Sequence, residues 1–309
     1  MHRCKKRRTF HCFSLQVLRG YVTIELKIGK GERSLEQSCF VCPVCGRPLF
    51  CDERTFVCES RHSFDRAKSG YVNLLQSNRK HAAVPGDNKE MVEARSAFLN
   101  AGYYEPLLNA VFEEVRRHMP EKNAFVLDAG CGEGYYTKAI AEAAGDARVA
   151  GVDISKSALA AAARRVKNVQ FAAGSVFRLP VADASCDMVT ELFAPYCGDE
   201  FLRVLKPDGV FLSVIPGARH LFGLKTLLYE TPYENAVKPF SLPGFSFVSK
   251  REVKKTITIQ NKTDLWNLFA MTPYAYRTKH EAQEKLLSCS ALTTEISFWI
   301  LAYRKIKGA

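Results

Sequence analysis

A glycine-rich turn between an apolar run and a helix-forming run is the stretch of this chain whose residue types best suit ligand binding. Asp128 precedes Gly130, Gly132 and Gly134, and Glu133 lies within the turn itself. Because glycine has no Cβ, a ligand can lie directly against the backbone N–H groups of such a turn. Two carboxylates would repel a pyrophosphate and attract a cation. The sequence therefore predicts a site for a positively charged ligand.

The next segment supports this prediction. Residues 147–152 read as the following strand, which ends at Asp153, where an acid can accept hydrogen bonds from both ribose hydroxyls of a nucleoside. The pattern D-x-G-x-G-x-G resembles the first motif of class I S-adenosylmethionine-dependent methyltransferases, whose cofactor carries a sulfonium and an ammonium. For the glycines alone, an ordinary tight strand–helix turn is the alternative. The position of Asp153 favours the methyl-donor site.

Three cysteines and one histidine nearer the N-terminus have the spacing of metal ligands. Cys42, Cys45, Cys58 and His62 form the pattern C-x2-C-x12-C-x3-H. Three thiolates and an imidazole make a tetrahedral set that zinc prefers. Four protein ligands leave no open position for catalysis, so the predicted Zn²⁺ is structural. A segment this small would depend on the metal to fold.

Composition narrows the class of protein. No run approaches the ~20 apolar residues of a membrane span, so no membrane partner is expected. The eleven cysteines are odd in number and four have metal-ligand spacing, which favours a reducing cytoplasm over a disulfide-bonded secreted protein. The net charge of +12 suggests a polyanionic partner, although residues 1–38 supply half of it with nine Lys/Arg and three Asp/Glu.

The first 38 residues show no link to the zinc motif or to the rest of the chain. They open with MHRCKKRR and lack the pattern of a signal peptide. One interpretation is a basic arm that binds RNA. The alternative is a non-native or disordered extension, because residues 29–32 (GKGE) need purine-rich codons, like a ribosome-binding site. In that case translation would begin at or near Leu35.

The remaining chain divides into three parts. We expect a zinc ribbon at residues 39–76, a linker and helices at 77–118, and an S-adenosylmethionine-dependent methyltransferase domain at 119–309. Alternating strand and helix patterns predict an α/β, Rossmann-like class I methyltransferase fold with a mostly parallel seven-stranded sheet. Segments 245–259 and 294–303 should close that sheet as an antiparallel hairpin. Ligands bind beyond the carboxyl ends of the strands in such folds.

Several motifs together resemble one family. The zinc motif is followed by HSFDRAKSGYVNLL, PGD, MVEARSAFLNAGYYEPL and VLDAGCGEGYYT, and later by FRLP, LKPDG, PGARHL and MTPYAYR. This order resembles the bacterial 23S rRNA (guanine-N1)-methyltransferases of the RlmA/RrmA type over about residues 40–305, and over no part of 1–38.

The resemblance implies residue roles. It places zinc on the four ligands named above, and cofactor contacts on Tyr104, Gly132, Glu133 and His220. With the residues of the glycine-rich turn, the candidate cofactor-binding set is Tyr104, Asp128, Gly130, Gly132, Glu133, Asp153 and His220. The resemblance also implies S-adenosyl-L-methionine as methyl donor and a 23S rRNA hairpin as substrate. One position departs from the family, because Glu191 stands where an arginine is found.

The catalytic residue is unknown from the sequence. Guanine N1 carries a proton near neutrality, so a general base would help, and Glu191 and His220 are weak candidates. A guanine splayed into the site would stack on aromatic side chains, for which core packing is the alternative role. The aromatic candidates are Tyr136, Phe193, Tyr196, Trp266, Tyr274 and Tyr276. Basic residues expected to hold phosphates are Arg47, Arg54, Arg61, Arg66, Lys68, Arg79 and Lys80, for which a solvated surface is the alternative.

Three functions compete at this stage. The first is a cytoplasmic rRNA guanine methyltransferase. The second is a methyltransferase for a small molecule or protein, whose zinc ribbon serves as an interaction module and could form a homodimer. The third is a non-enzymatic zinc-ribbon module on an inactive Rossmann body, which the intact Asp128, Gly130, Gly132 and Asp153 disfavour.

Overall fold

The computed structural model describes residues 11–18, 21–28, 31–76, 86–120, 123–237, 239–276 and 278–308. Residues 1–10 and 77–85 lie outside these ranges, and with them most of the expected linker, Arg79 and Lys80. The strands are β1 (His11–Leu18), β2 (Tyr21–Ile28), β3 (Gly31–Val41), β4 (Pro48–Cys51), β5 (Thr55–Val57), β6 (Ser63–Asp65), β7 (Val72–Asn73), β8 (Phe125–Ala129), β9 (Arg148–Asp153), β10 (Gln170–Ala173), β11 (Cys186–Leu192), β12 (Leu205–Pro216), β13 (Phe245–Ile259) and β14 (Leu292–Lys305). The helices are α1 (Lys89–Asn100), α2 (Glu105–His118), α3 (Tyr135–Ala144), α4 (Lys156–Arg165), α5 (Gly198–Val204), α6 (Phe222–Leu228), α7 (Lys262–Ala270) and α8 (His280–Ser288), with a short 3-10 helix at Pro273–Tyr276.

The larger of the two sheets carries the fold. Its strand order is β13-β14-β12-β11-β8-β9-β10-β7, and β14 runs antiparallel to both β12 and β13. The other neighbours are parallel. All five residues of β8 are buried, as expected of a central parallel strand covered by helices on both faces. The predicted fold class is confirmed.

Two details of this sheet differ from the prediction. The sheet has eight strands, because β7, which follows the zinc motif, pairs in parallel with the edge strand β10. The antiparallel pair β13–β14 is present, but α7 and α8 lie between its strands, so no tight turn connects them. A two-residue segment such as Val72–Asn73 is too short for its sequence to predict a strand, and it becomes one by pairing with the edge of the sheet.

The smaller sheet has the order β1-β2-β3-β4-β5-β6, and the cysteines of the zinc motif lie in the loops that join β3 to β4 and β5 to β6. Its apolar residues share one core cluster with the larger sheet, in which Phe40 and Leu49 accompany Phe125. Ser38 donates a 2.9 Å hydrogen bond to the side chain of Gln170 in β10. The backbone N–H of Val41 also donates to the carbonyl of Pro180 over 2.9 Å. The zinc-binding part is therefore packed against the body of the protein.

The boundary expected at residue 38 falls inside β3, because β3 runs from Gly31 to Val41 and pairs with both β2 and β4. Leu35 is buried. Whether residues 1–38 belong to the native protein is a separate question, and the idea that they do not stays a prediction. Among the described residues, we find no helix with both the length and the apolar character needed to cross a membrane.

Candidate active site and zinc cluster

The four residues of the metal motif converge. One ligand atom from each of Cys42, Cys45, Cys58 and His62 lies within 4.8 Å of the others. The Cys45 and Cys58 sulfurs are 3.7 Å apart, and Nδ1 of His62 is 3.5 Å and 3.4 Å from the Cys42 and Cys58 sulfurs. Around tetrahedral zinc, sulfurs at ~2.3 Å and a nitrogen at ~2.0 Å give separations of about 3.8 Å for S–S and about 3.5 Å for S–N. The cluster therefore has the dimensions of a Cys3His zinc site.

The other two cysteines of this segment lie outside the cluster. Burial raises the pKa of both Cys39 and Cys51 to about 11, so both stay thiols at neutral pH. The backbone N–H of Cys39 donates to Oε1 of Gln170, and the amide of Gln170 lies 3.9 Å from the Cys51 sulfur. These cysteines line the contact between the two sheets and are not part of the cluster.

The basic residues near the cluster differ in what they contact. Arg66 donates to the carbonyls of Gly70 and Asp52 and lies over the ring of Phe56, so it supports the ribbon's own structure. Arg47 pairs with Glu59 at an exposed position. Arg54, Arg61 and Lys68 also belong to the ribbon, and all three are exposed.

A cavity of about 860 Å³ opens where β8, β9 and β11 of the larger sheet end. The carboxyl edge of a parallel sheet is the place where ligands are expected to bind. Every residue named from the sequence as a candidate for cofactor binding or catalysis lines this one cavity: Tyr104, Asp128, Gly130, Gly132, Glu133, Asp153, Glu191 and His220.

The glycines of the turn serve different purposes. All three have left-handed φ angles, 84° at Gly130, 53° at Gly132 and 81° at Gly134. A Cβ on Gly130 would lie 2.2 Å from the Cβ of Ala194, and one on Gly134 would lie 3.0 Å from the backbone of α4. At Gly132 the nearest atom is the end of a side chain, Nη1 of Arg95 at 4.0 Å, so a Cβ there would meet no clash. At two positions, packing and backbone conformation require glycine, and the expectation that all three clear the way for a ligand is corrected accordingly.

Asp153 ties the glycine-rich turn to the next helix. Its Oδ2 accepts a 2.9 Å hydrogen bond from the N–H of Gly132, and its Oδ1 accepts a 2.7 Å hydrogen bond from the N–H of Ser155. Burial raises the pKa of Asp153, and these two hydrogen bonds oppose that shift. Each carboxylate oxygen keeps a further lone pair, so Asp153 can also accept hydrogen bonds from a pair of hydroxyls.

Asp128 is more enclosed. Its two oxygens accept hydrogen bonds from the hydroxyls of Thr137 (2.6 Å) and Thr190 (2.9 Å). Burial raises the pKa of Asp128 to about 6 despite these bonds. Asp128 is therefore ionised near neutrality, no described residue forms an ion pair with it, and a nearby cation would be stabilised there.

His220 is buried and joined to Tyr104. The backbone N–H of Ser297 donates to its Nδ1 over 3.3 Å, so Nε2 carries the proton and faces the Tyr104 hydroxyl at 3.4 Å. Burial, with the charge of Lys225 as a smaller effect, lowers the pKa of His220 to about 3. His220 is thus a neutral donor into the cavity. Burial raises the pKa of Tyr104, which keeps its phenol protonated.

Glu191 closes a strained turn at the end of β11. Its Oε1 accepts a 2.7 Å hydrogen bond from the N–H of Ala194, and its Oε2 accepts a 2.8 Å hydrogen bond from Ser213. Phe193, which lies between Glu191 and Ala194 in the chain, has a left-handed φ of 60°, a costly conformation for this residue type. Glu191 is 3% exposed, and burial raises its pKa to about 7. This pKa lies closer to neutrality than those of Asp128, at about 6, and His220, at about 3.

The turn presents an aromatic side chain to the cavity. Phe193 is 46% exposed although it packs against Phe298 at a ring distance of 5.5 Å. Phe177, which the sequence analysis did not select, also lines the cavity and is 62% exposed. Of the predicted stacking residues, Tyr136, Phe193 and Tyr274 line the cavity, Tyr196 and Trp266 do not, and the side chain of Tyr276 lies outside the described part.

Arg95 of α1 is a cavity residue that the sequence analysis missed. Its guanidinium forms ion pairs with Asp87 and, at 3.9 Å, with Glu133 of the glycine-rich turn. Burial raises the pKa of Glu133, and the charge of Arg95 opposes that shift. The available signal was an arginine on the apolar face of a helix, four residues after Met91 and three before Phe98.

This fold and this cavity, together with the Cys3His cluster, define a class I S-adenosylmethionine-dependent methyltransferase with a zinc ribbon. A family model described as "Methyltransferase domain" matches residues 126–209, and one described as "RlmA, N-terminal" matches residues 40–83. A Micromonospora griseorubida protein named "Putative 23S rRNA (guanine-N(1)-)-methyltransferase" is 39% identical over 258 residues, 77% of this chain and 86% of the relative. The 23S rRNA (guanine(748)-N(1))-methyltransferase of Streptomyces fradiae is 33% identical over 244 residues, 76% of this chain and 85% of the relative. The chain belongs to the family of 23S rRNA (guanine-N1)-methyltransferases.

Proposed function

We propose that this protein transfers a methyl group from S-adenosyl-L-methionine to N1 of a guanine in a 23S rRNA hairpin. The observation that carries the proposal is that one cavity is lined by a carboxylate-bearing glycine-rich turn, by Glu191 and by exposed aromatic side chains. The relatives named above support the choice of RNA as methyl acceptor. A protein acting on ribosomal RNA would work in the cytoplasm.

The residues around the glycine-rich turn suit the methyl donor. Asp128 and Asp153 are acidic, and Gly132 leaves the space beside them open. We assign ribose recognition to Asp153 and electrostatic stabilisation of the donor's positive charge to Asp128. Tyr104 and His220, whose hydroxyl and Nε2 lie 3.4 Å apart, add two neutral polar groups to the cavity lining. Bound S-adenosylmethionine would supply a methyl group already activated by its sulfonium.

Glu191 is the base that this arrangement supports best. The reaction requires guanine N1 to present a lone pair, so the N1 proton must leave. The ionised carboxylate of Glu191 would accept that proton as N1 bonds to the methyl carbon and the carbon–sulfur bond breaks towards sulfur. His220 is unsuited to this step because its Nδ1 already accepts a backbone N–H and its Nε2 is protonated.

Phe193 and Phe177 are suited to holding the guanine. Both are aromatic, exposed and at the cavity mouth, where a base taken out of its RNA stack can lie against a ring. Stacking on an aromatic side chain contributes about 1–3 kcal/mol per base. The basic residues Arg54, Arg61 and Lys68 of the ribbon would contact RNA phosphates. We assign the zinc a structural role, because four protein ligands complete its coordination.

The test is transfer of tritiated methyl groups to 23S rRNA that lacks base methylation. We expect 1-methylguanosine on nucleoside analysis and one primer-extension stop within a hairpin. Methylation of a protein or small molecule, with none in RNA, would support the second function considered from the sequence. A homodimer stays a prediction, which analytical ultracentrifugation can test.

A further inference from the structure

We infer that Arg95 binds the α-carboxylate of the methyl donor's amino-acid end. This inference rests on the proposed function, because it assigns one contact within the same site. The donor carries a single carboxylate, and no carboxylate-binding group was identified from the sequence. Arg95 lies on α1, outside the strand–turn–helix unit that carries the glycine-rich turn.

Charge is the first argument. Among the described residues that line the cavity, the acidic ones outnumber the basic ones, and Arg95 is the one arginine or lysine. An α-carboxylate bound beside the glycine-rich turn would face carboxylates, and Arg95 is the cation there that can compensate them. The acidic residues are Asp87, Asp128, Glu133, Asp153 and Glu191.

Position is the second argument. The Nη1 atom of Arg95 lies 4.0 Å from the place a Cβ would occupy on Gly132, the glycine at which a Cβ would meet no clash. The Arg95 side chain is 25% exposed, and both of its ion pairs, to Asp87 and Glu133, are made by Nη1. Because a guanidinium has five N–H donors in a planar fork, the remaining donors are available for a carboxylate.

Charge state is the third argument. Burial disfavours the charged form of Arg95, but Asp87 and Glu133 outweigh it and raise the pKa of Arg95 above its ordinary value. The guanidinium of Arg95 is therefore protonated before any ligand binds, and ligand binding does not have to include uptake of a proton.

An unpartnered hydroxyl supports a polar ligand in the same region. The hydroxyl of Tyr136 is buried in the cavity wall and has no hydrogen-bond partner among the described residues. Burial raises the pKa of Tyr136, and the charge of Arg95 lowers it by a smaller amount. The guanidinium and the Tyr136 hydroxyl are therefore close enough to interact electrostatically. A buried donor without a partner is costly, and a ligand oxygen would satisfy it.

The experiment compares two ligands in calorimetric titrations of the full chain with zinc bound. The ligands are S-adenosylhomocysteine and its decarboxylated analogue, which keeps the amine. A charge-assisted, two-point contact should make the unmodified protein favour the carboxylate form by about 10- to 100-fold. In Arg95→Gln this preference should fall to within about 3-fold, and Arg95→Lys should retain part of it.

The ratio of the two affinities separates a contact from a structural role. If Arg95 only balances Asp87 and Glu133, Arg95→Gln will weaken both ligands equally and leave the ratio unchanged, which overturns the inference. Because both ligands are measured on the same preparation, partial unfolding cancels from the ratio. The matched control is Arg165→Gln, on α4 outside the cavity lining, which should leave the ratio unaltered. Failure of the unmodified protein to bind either ligand would instead contradict the proposed function.

Discussion

The backbone N–H of Ala194 donates a 2.7 Å hydrogen bond to Oε1 of Glu191. This bond spans the strained turn at Phe193, so the carboxylate that fixes this aromatic side chain at the cavity is also the one that we propose as the base. The two roles can be separated, because glutamine keeps the accepting oxygen but cannot take a proton at neutral pH.

Glu191→Gln should lower the rate of methyl transfer by about 10²- to 10⁴-fold. We expect its affinity for S-adenosylhomocysteine to stay within about 3-fold of the unmodified protein, since the turn is preserved. The unmodified protein should become more active as pH rises, with a midpoint near the Glu191 pKa of about 7, because only the ionised carboxylate accepts a proton. Single-turnover rates across this pH range test both expectations. Full activity in Glu191→Gln would remove Glu191 from the mechanism.

The same substitution should change stability in a pH-dependent way. At pH values below the ordinary pKa of a glutamate, Glu191 is protonated in both the folded and the unfolded states. Its ionisation then makes no contribution to the free energy of unfolding. As pH rises from that ordinary value to the folded pKa of about 7, stability is lost because the unfolded chain ionises more readily. Glu191→Gln should therefore raise the free energy of unfolding at about pH 8 by on the order of 2 kcal/mol, with little effect at about pH 4. Urea denaturation at both pH values measures this difference. If Glu191→Gln changed the free energy of unfolding equally at both, ionisation of the buried carboxylate would not be what destabilises the protein.

His220→Gln should leave the pH dependence of methyl transfer unchanged. Glutamine can accept the N–H of Ser297 and donate to Tyr104, as His220 does, and it does not titrate. We expect the dissociation constant for S-adenosylhomocysteine to rise by less than about 10-fold. The single-turnover rate of methyl transfer tests this. A large fall in that rate in His220→Gln, with cofactor affinity intact, would identify His220 as the base and contradict the assignment of Glu191.

The glycine-rich turn and the Glu191 turn should prove energetically coupled. Gly130→Ala places a Cβ 2.2 Å from that of Ala194 at a left-handed φ of 84°, so it should destabilise the protein by on the order of 3 kcal/mol. Ala194→Gly removes the clash but not the backbone strain. A double-mutant cycle from chemical denaturation should show a favourable coupling of at least about 1 kcal/mol. Additive effects would mean that the two turns do not pack as described.

Removal of the metal should destabilise the whole protein as well as the ribbon. The ribbon shares a hydrophobic cluster with the larger sheet, so loss of its order exposes apolar surface of the body. Cys58→Ser should abolish zinc binding and lower the Tm by at least about 5 °C. The matched control is Cys39→Ser, in the same ribbon but outside the cluster. Similar zinc content and Tm in both variants would contradict the assigned ligand set.

Local patterns predicted the parts of the site that local chain segments build. The turn from Asp128 to Gly134 is a single strand–turn–helix unit, and Asp153 ends the neighbouring strand, so sequence spacing was enough to bring them to one edge. The spacing of the four metal ligands predicted the zinc cluster for the same reason, because a short hairpin brings Cys42 and Cys45 close to Cys58 and His62.

The parts that were missed depend on long-range packing. Arg95 reaches Glu133 only because α1 packs over the cavity, and no local pattern states where that helix docks. The need for glycine at Gly130 comes from Ala194, a residue 64 positions later in the chain. The eighth strand, β7, becomes a strand because the edge of β10 is available to it.

Calorimetric titration of the zinc-loaded chain with S-adenosylhomocysteine tests the central claim most directly. The claim is that the cavity at the ends of β8 and β9 binds the methyl donor, and Asp153 is its predicted ribose contact. We expect saturable binding at one site per chain, weakened by at least about 10-fold in Asp153→Ala, provided that this variant keeps its Tm within a few degrees. An unmodified chain that releases no binding heat with this ligand, or an Asp153→Ala variant that binds it equally well, would contradict the account.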